Sequence, residues 1–406
     1  MKILARQGRI AAFALVALVF TVACPGSDPG QGPVEPYDGG TLDPGAGGTA
    51  GGAGTGSIAT GGRPGVGGAV ATGGTSNPSI GLDLPKLDIV FIIDNSGSMR
   101  EEIENLKANV PALIDELSRF KGGLPDLRIA VVTSNVGSST GPRSGNLASC
   151  QPPGDGARFY APPACGLDRK YLVHGKSPST SNFSASLQEV LACMLDVGYR
   201  GCYVQQPLGV SRMFFDPRLG VPEQTQFIRP DAALLVVIIS DDDDCSDIHT
   251  LSEKGHALRL KCALTSHSCR GRPLEPVARA LPFNECAATP DPPSGEPELF
   301  EAIRDSIESL RKLKTNGQLL VSVIAGWPDD PATAKYELGF ETQNGEQVLD
   351  LFPVCRTAMG DAGPALRLKA YADALGEQGS FHSICRNDLR PALRDIGRLA
   401  QTRMMQ

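Results

Sequence analysis

The chain has 406 residues, a formal net charge of −7 and an aromatic content of 5%. An acidic chain with few aromatic residues is a poor candidate for nucleic-acid binding, which needs a basic surface and stacking rings. The 47 glycines and 32 prolines, many of them between residues 25 and 85, predict a segment that has no core of its own.

The first 23 residues have the pattern of an export signal. Three basic residues precede an apolar stretch at 10–22, which is too short to span a bilayer comfortably. Cleavage after Ala23 would release a soluble protein. Alternatively, Cys24 is lipidated, because Val22-Ala23-Cys24 resembles the end of a bacterial lipobox, although Thr21 departs from it. We favour lipidation, since residues 24–85 read as a disordered Gly/Pro-rich tether.

Cysteine usage agrees with export. An even set of ten cysteines in an exported chain predicts a disulfide framework. The simplest local pairings are Cys150 with Cys165, Cys193 with Cys202, and Cys355 with Cys385. A zinc site on Cys262, His267 and Cys269 is a weaker alternative, because it lacks a paired C-x-x-C motif. The ten are Cys150, Cys165, Cys193, Cys202, Cys245, Cys262, Cys269, Cys286, Cys355 and Cys385.

Strand and helix patterns alternate along residues 86–406, with insertions at about 137–180 and 245–296. This alternation predicts an α/β fold: a Rossmann-like, doubly wound, mostly parallel sheet flanked by helices, with disulfide-rich loop insertions. The strands are predicted at Leu87–Ile93, Leu127–Thr133, Tyr171–Val173, Ala232–Ile239, Leu319–Ala325 and Ser380–Cys385. The helices are predicted at Met99–Phe120, Phe183–Leu195, Gln206–Phe215, Leu299–Leu313, Ala365–Leu375 and Leu389–Ala400.

Two acidic turns follow the most apolar of these strands. Asp94, Ser96 and Ser98 come directly after the first strand, and Asp241 follows the strand at 232–239. If the two strands are neighbours, the four side chains converge at one edge of the sheet, where ligands of open α/β sheets bind. All four offer oxygen atoms, which suit a hard divalent cation such as Mg²⁺, Mn²⁺ or Ca²⁺.

The sequence Asp94-Asn-Ser-Gly-Ser98 after an apolar strand, with Asp241 after a later one, resembles the metal-ion-dependent adhesion site of a von Willebrand factor type A domain. The resemblance covers residues 87 to about 400, and the chain also resembles exported bacterial proteins of this class, many of them lipoproteins with Gly-rich tethers. It implies that Ser96 and Ser98 bind the cation directly, and that Asp94 and Asp241 bind it directly or through water. It also implies that a carboxylate from a partner fills an open position on the cation.

The family's full site includes a threonine on a later loop, which is expected here around residues 198–206. That segment contains no threonine, so Gln205 or a water molecule would take its place. The site could also be degenerate, and the Asp94–Ser98 turn could serve only for helix capping. We expect Asp242 to be solvated. Asp243 and Asp244 could form a second calcium-like site, and the five histidines are expected at the surface or in loops.

The leading functional interpretation is an exported module of the bacterial cell envelope, which we expect to be a membrane-anchored lipoprotein and otherwise a periplasmic or secreted protein. It would recognise a protein or other acidic ligand through a divalent cation, and the sequence shows no nucleophile–base pair that would indicate an enzyme. Two alternatives remain: a structural surface or assembly protein with a degenerate metal site, and a metal-dependent hydrolase.

Overall fold

The structure is a computed structural model that describes residues 85–137, 150–175, 180–219, 222–246, 258–291, 301–314, 316–328, 330, 333–343 and 345–405. The predicted signal, Cys24 and tether lie outside these residues. The strands are β1 Lys86–Ile93, β2 Asp126–Thr133, β3 Leu172–His174, β4 Ala233–Ser240, β5 His267–Cys269, β6 Arg272–Pro273, β7 Leu281–Phe283, β8 Cys286–Ala288, β9 Leu319–Ala325, β10 Tyr336–Gln343, β11 Glu346–Leu351, β12 Cys355–Thr357, β13 Gly360–Ala362 and β14 Gly379–Ser383. The helices are α1 Arg100–Asn109, α2 Pro111–Leu117, α3 Leu187–Leu195, α4 Pro207–Phe215, α5 Pro222–Phe227, α6 Leu258–Ser266, α7 Ile303–Leu313, α8 Leu366–Asp373 and α9 Arg390–Met404.

Six strands form the main sheet in the order β14-β9-β4-β1-β2-β3. All neighbours are parallel except β3, which pairs antiparallel with β2. Strands β2 and β3 lie on one side of β1 in the sheet. The later strands β4, β9 and β14 lie on the other side. The strand order therefore reverses between β1 and β4, and the predicted neighbours are adjacent, with Ile93 opposite Ile239.

Alternate side chains of β1 enter two separate cores, which explains the continuous apolar run in its sequence. Ile89, Phe91 and Ile93 pack with α1, α2, α3 and α9 on one face. Val90 and Ile92 pack with α4, α7 and α8 on the other. The sheet is thus covered by helices on both faces, and the predicted α/β class is confirmed.

The predicted helix at 99–120 is divided in two. Because Pro111 has no backbone N–H and cannot continue the hydrogen-bond ladder, α1 ends at Asn109 and Pro111 becomes the first residue of α2.

The region between β9 and α8, which the sequence analysis left without elements, contains the hairpin β10–β11 and the small pair β12–β13. The hairpin pairs with β7 from the insertion after Asp244. Leu260 on α6 packs with Tyr336, Leu338 and Leu349 in a third, smaller core. The described parts of the insertion therefore form a packed layer rather than an irregular loop.

All ten predicted cysteines form disulfides, and two of the three local pairings were wrong. Cys355 pairs with Cys385 as predicted. Cys150 pairs with Cys202 and Cys165 with Cys193, because the segment before β3 folds back onto α3 and the loop that follows it. The remaining bridges are Cys245–Cys262 and Cys269–Cys286. The zinc alternative is excluded, since both of its cysteines are in disulfides.

Within the part of the chain that is described, no helix has the length and apolarity needed to cross a membrane.

Candidate metal centre

The segment Asp94–Ser98 forms a tight turn at the carboxyl end of β1. Asp94 Oδ1 accepts the backbone N–H of Ser96 at 2.8 Å, a turn interaction that aspartate favours. Asp94 Oδ2 accepts the hydroxyl of Ser240 at 2.8 Å, which ties the turn to the end of β4. The hydroxyl oxygens of Ser96 and Ser98 lie 3.2 Å apart. Three of the predicted ligands are therefore fixed on one short turn.

Asp241 is completely buried at the end of β4. Its backbone N–H points to the sulfur of Met99 at 3.2 Å, and its backbone carbonyl accepts the N–H of Gly363 at 2.8 Å. Among the described residues, none makes a hydrogen bond to either carboxylate oxygen of Asp241. Because an ionised carboxylate without a partner is strongly disfavoured in a protein interior, this position requires a proton or a cation.

The electrostatics of the turn point to the same requirement. Burial raises the pKa of Asp94 to about 6, although hydrogen bonds from Ser96 and Ser240 oppose the shift. Burial also raises the pKa of Asp241 well above its usual value, and the charges of Asp242 and Asp94 raise it further. The nearby Ser98 hydroxyl opposes this shift only in part. Two buried carboxyl groups are thus held close together, and neither forms an ion pair with a basic side chain among the described residues.

These residues fit a hard divalent cation. Such an ion would neutralise Asp94 and Asp241 and would use the hydroxyl oxygens of Ser96 and Ser98, which are oxygen ligands of the preferred kind. No cluster of three or more His, Cys, Asp or Glu side chains suited to a metal occurs among the described residues. The candidate centre therefore depends on hydroxyl and amide oxygens as well as on its two carboxylates.

Gln205 lies on the cavity next to this turn, where a further ligand was predicted. It lines a cavity of about 330 Å³ together with Ser96 and Ser98. The loop before it crosses the turn closely, because the Gly201 N–H donates to the Asn95 carbonyl at 2.7 Å. A Cβ atom at Gly201 would lie 2.0 Å from Asn95 Oδ1, so a larger residue at this position would have to displace the Asn95 amide. The assignment of Gln205 as a ligand stays a prediction.

Asp242 to Asp244 do not form the solvated run or the calcium-like site that the sequence suggested. Asp242 is largely buried and pairs with Arg259. The Asp243 carboxylate accepts the N–H groups of Arg367 and Leu368 at 2.8 and 3.0 Å and so caps α8. The Asp244 carboxylate accepts the Leu208 N–H at the start of α4 and forms a fully buried ion pair with Arg367. All three carboxylates are therefore occupied by protein groups.

His267 corrects the expectation that the histidines lie at the surface. It is buried, with an exposed fraction of 2%. Its Nε2 lies 2.7 Å from Asp243 Oδ2, and its Nδ1 lies 2.8 Å from the Tyr336 hydroxyl. Both ring nitrogens are engaged, so His267 joins the acidic turn to the inserted layer.

Glu102 is a buried carboxyl group that the sequence analysis missed. It follows the turn on α1 with an exposed fraction of 3%, and no described residue donates to its Oε2. Burial raises its pKa to about 8, and the charges of Glu101, Asp94 and Asp361 contribute to the increase. A Cβ atom at Gly360 would lie 1.7 Å from Glu102 Oε1, which shows how closely β13 covers the side chain.

The raised pKa of Glu102 predicts a pH-dependent effect of Glu102→Gln. Between the usual pKa of 4.5 and the folded value of about 8, the folded protein keeps a proton that the unfolded chain releases. Wild-type stability should therefore fall as the pH rises through this interval, whereas glutamine does not titrate. In EDTA, the unfolding free energy of Glu102→Gln should rise relative to wild type by about 3–5 kcal/mol from pH 5 to pH 8.5.

Urea unfolding at several pH values measures this difference. The matched control is Glu101→Gln, which changes the exposed neighbour on the same helix and should show a nearly constant difference. A pH-independent difference for Glu102→Gln would show that its carboxyl group is ionised in the folded protein.

The chain has matches among solved structures but none from the other two comparisons. Neither the protein-family comparison nor the comparison with curated proteins gives a match. A von Willebrand factor type A protein from Catenulispora acidiphila aligns over 77% of this chain and 42% of its own, with 11% identity and a TM-score of 0.34. The minor pilin PilB from Streptococcus sanguinis aligns over 78% and 62%, with 13% identity and a TM-score of 0.33. The pilus adhesin SpaC from Lactobacillus rhamnosus GG, in its open conformation, aligns over 80% and 30%, with 9% identity and a TM-score of 0.34.

The chain spans less than two thirds of the length of each of these structures. Its assignment as a doubly wound α/β protein rests on its own topology: a mostly parallel six-stranded sheet, helices on both faces, and a polar turn where the strand order reverses.

Proposed function

We propose that this chain is a von Willebrand factor type A-like binding module that holds a divalent cation at Asp94, Ser96, Ser98 and Asp241. Through the cation it recognises a carboxylate of a protein or another acidic ligand. One observation carries the proposal: the carboxylate of Asp241 is fully buried beside Asp94, and no described residue makes a hydrogen bond of normal geometry to either of its oxygens. The nearby Ser98 hydroxyl compensates for this burial only in part.

The cavity beside the turn favours binding over catalysis. Among the described residues that line it, His267 carries the side chain that enzymes use most often as a general base. Its two ring nitrogens are already engaged with Asp243 and Tyr336. We therefore propose a module without enzymatic activity, in which the cation and the surrounding side chains bind the ligand.

The proposal extends to location. The basic and apolar N-terminal pattern, the Gly/Pro-rich stretch and the five disulfides support export to the bacterial cell envelope. Lipidation at Cys24 would anchor the domain to a membrane through its tether.

Calorimetric titration of the full chain with Mg²⁺, Mn²⁺ and Ca²⁺ tests the proposal. We expect one cation per chain, and a loss of affinity of at least about 100-fold in Asp94→Ala, which removes a charged ligand from the site. Circular dichroism should show that the fold persists. Asp115→Ala, a change of an exposed aspartate on α2, is the matched control and should bind like wild type.

The absence of binding by all three cations would contradict the proposal and favour a structural surface protein with a degenerate site. Turnover of a phosphoester panel that disappears in Asp94→Ala would instead indicate a hydrolase.

A further inference from the structure

A guanidinium group lies on the same cavity as the candidate cation site. Arg259 on α6 lines the cavity with Ser96, Ser98 and Gln205. Its Nε donates to Asp242 Oδ1. Among the described residues, none accepts a hydrogen bond from its two terminal nitrogens. The ion pair with Asp242 therefore uses one edge of the guanidinium and leaves its terminal N–H groups available.

Arg259 is held rigidly. The Cys245–Cys262 disulfide ties α6 to the segment that follows Asp244. A Cβ atom at Gly363 would lie 2.7 Å from Arg259 Nε and 2.4 Å from Asp242 Oδ1, so the pair packs directly against the main chain. A side chain fixed in this way loses little conformational freedom when it binds a ligand.

Arg259 keeps its positive charge in this partly buried environment. Burial by itself would lower its pKa, but the negative charges of Asp242, Asp350 and Asp241 outweigh that effect and raise it. The guanidinium is therefore positive at every pH at which the protein is folded.

We propose that Arg259 is a second anchor for the ligand and that it selects ligands with two carboxylates over ligands with one. This inference rests on the proposed function, in which the first carboxylate binds the cation. A guanidinium binds a carboxylate through two parallel N–H groups, which gives both strength and direction. A cavity of about 330 Å³ can hold a short dicarboxylate or a pair of acidic side chains.

The test compares glutarate with butyrate, which has the same three aliphatic carbons but carries a hydrogen in place of the second carboxylate. Both are titrated calorimetrically into the full chain, saturated with the cation that binds most tightly. In wild type, glutarate should bind at least about tenfold more tightly than butyrate, as a charge-assisted bidentate contact implies. In Arg259→Gln this ratio should fall to about one to two, while butyrate and cation affinities change less than about twofold.

Three further variants separate the role of Arg259 from its pairing with Asp242. Arg259→Lys keeps the positive charge but loses the planar pair of N–H donors, so it should retain part of the preference for glutarate. The double variant Arg259→Gln/Asp242→Asn removes both charges and should match Arg259→Gln. Arg279→Gln removes an exposed arginine from the same insertion and should behave like wild type.

Equal affinities for glutarate and butyrate in wild type, or an unchanged preference in Arg259→Gln, would overturn the inference about Arg259. Either result would leave the proposed cation site unaffected. If the cation itself does not bind, the proposed function fails and the inference fails with it.

Discussion

Replacing Arg367 by methionine is expected to lower the free energy of unfolding by about 3–5 kcal/mol, the usual result of removing one partner of a buried ion pair. Arg367 and Asp244 are both completely buried. Arg367 Nη2 donates to Asp244 Oδ2 at 3.1 Å and also to the carbonyl of Glu301. Methionine fills similar space but leaves the Asp244 charge without its neighbouring cation. Urea unfolding followed by circular dichroism measures the loss.

The same helix provides the control. Lys369 on α8 pairs with Asp373 at 2.6 Å, but this pair is at the surface. Lys369→Met should therefore change the unfolding free energy by no more than about 0.5 kcal/mol. The two substitutions remove a positive charge two positions apart and differ mainly in burial.

A double-mutant cycle with Asp244→Asn identifies the source of the effect. Each single change leaves a buried charge unpaired, so the double variant should be clearly more stable than the sum of the two losses predicts. Additive losses, or a small loss in Arg367→Met, would show that the pair contributes little. Asp244→Asn alone should also weaken the start of α4, since the carboxylate accepts the Leu208 N–H at 3.0 Å.

The strands of the main sheet and the position of its polar turn, Asp94–Ser98, could be predicted from the sequence. Strands buried on both faces leave continuous apolar runs, as at 87–93 and 233–239, and such strands occupy the centre of a doubly wound sheet. The sequence analysis assumed that β1 and β4 are adjacent, and the structure confirms this pairing, which places Asp94 and Asp241 at the point where the strand order reverses.

The acidic run after β4 could not be interpreted from the sequence, because its partners are distant in the chain. Four consecutive aspartates resemble a solvated surface segment. Their burial depends on Arg367, which follows Asp244 by 123 positions, and on Arg259 and His267 in the insertion. The sequence alone does not indicate which distant cation or helix N-terminus each carboxylate meets.

Glu102 was missed for a related reason. Acidic residues in the first turn of a helix are ordinarily explained by its dipole and by exposure to solvent. Here β13 covers one of the two, and this contact arises from the small β12–β13 pair near Gly360, a region without a clear sequence pattern. The local disulfide pairings failed in the same way, since Cys150 and Cys202 meet across 52 positions.

Replacing Asp241 by asparagine is expected to have opposite effects with and without a cation. In EDTA at pH 8, the variant should be more stable than wild type by about 1–3 kcal/mol, because it removes a buried carboxylate that lacks a partner. With Mn²⁺ at about 100 times its dissociation constant, wild type should gain about 2.7 kcal/mol and the variant almost nothing.

The EDTA part of this prediction depends on pH. Because burial raises the pKa of Asp241 in the folded protein, its contribution to stability is present at low pH and is lost as the pH rises through the folded pKa. The advantage of Asp241→Asn should thus shrink as the pH is lowered, because the carboxyl group of the folded wild type then takes up a proton. Thermal or urea unfolding at pH 5 and pH 8, each with EDTA and with Mn²⁺, gives the four measurements required.

The exposed aspartate Asp373 provides the control, since Asp373→Asn should leave both the stability in EDTA and the gain with Mn²⁺ close to wild type. If Asp241→Asn were instead less stable in EDTA at pH 8 and kept the full gain with Mn²⁺, Asp241 would be a structural carboxylate. The cation would then have to bind elsewhere. A reversal of sign between the two conditions has a simple origin: the same buried charge opposes folding in the absence of the cation and attracts the cation when it is present.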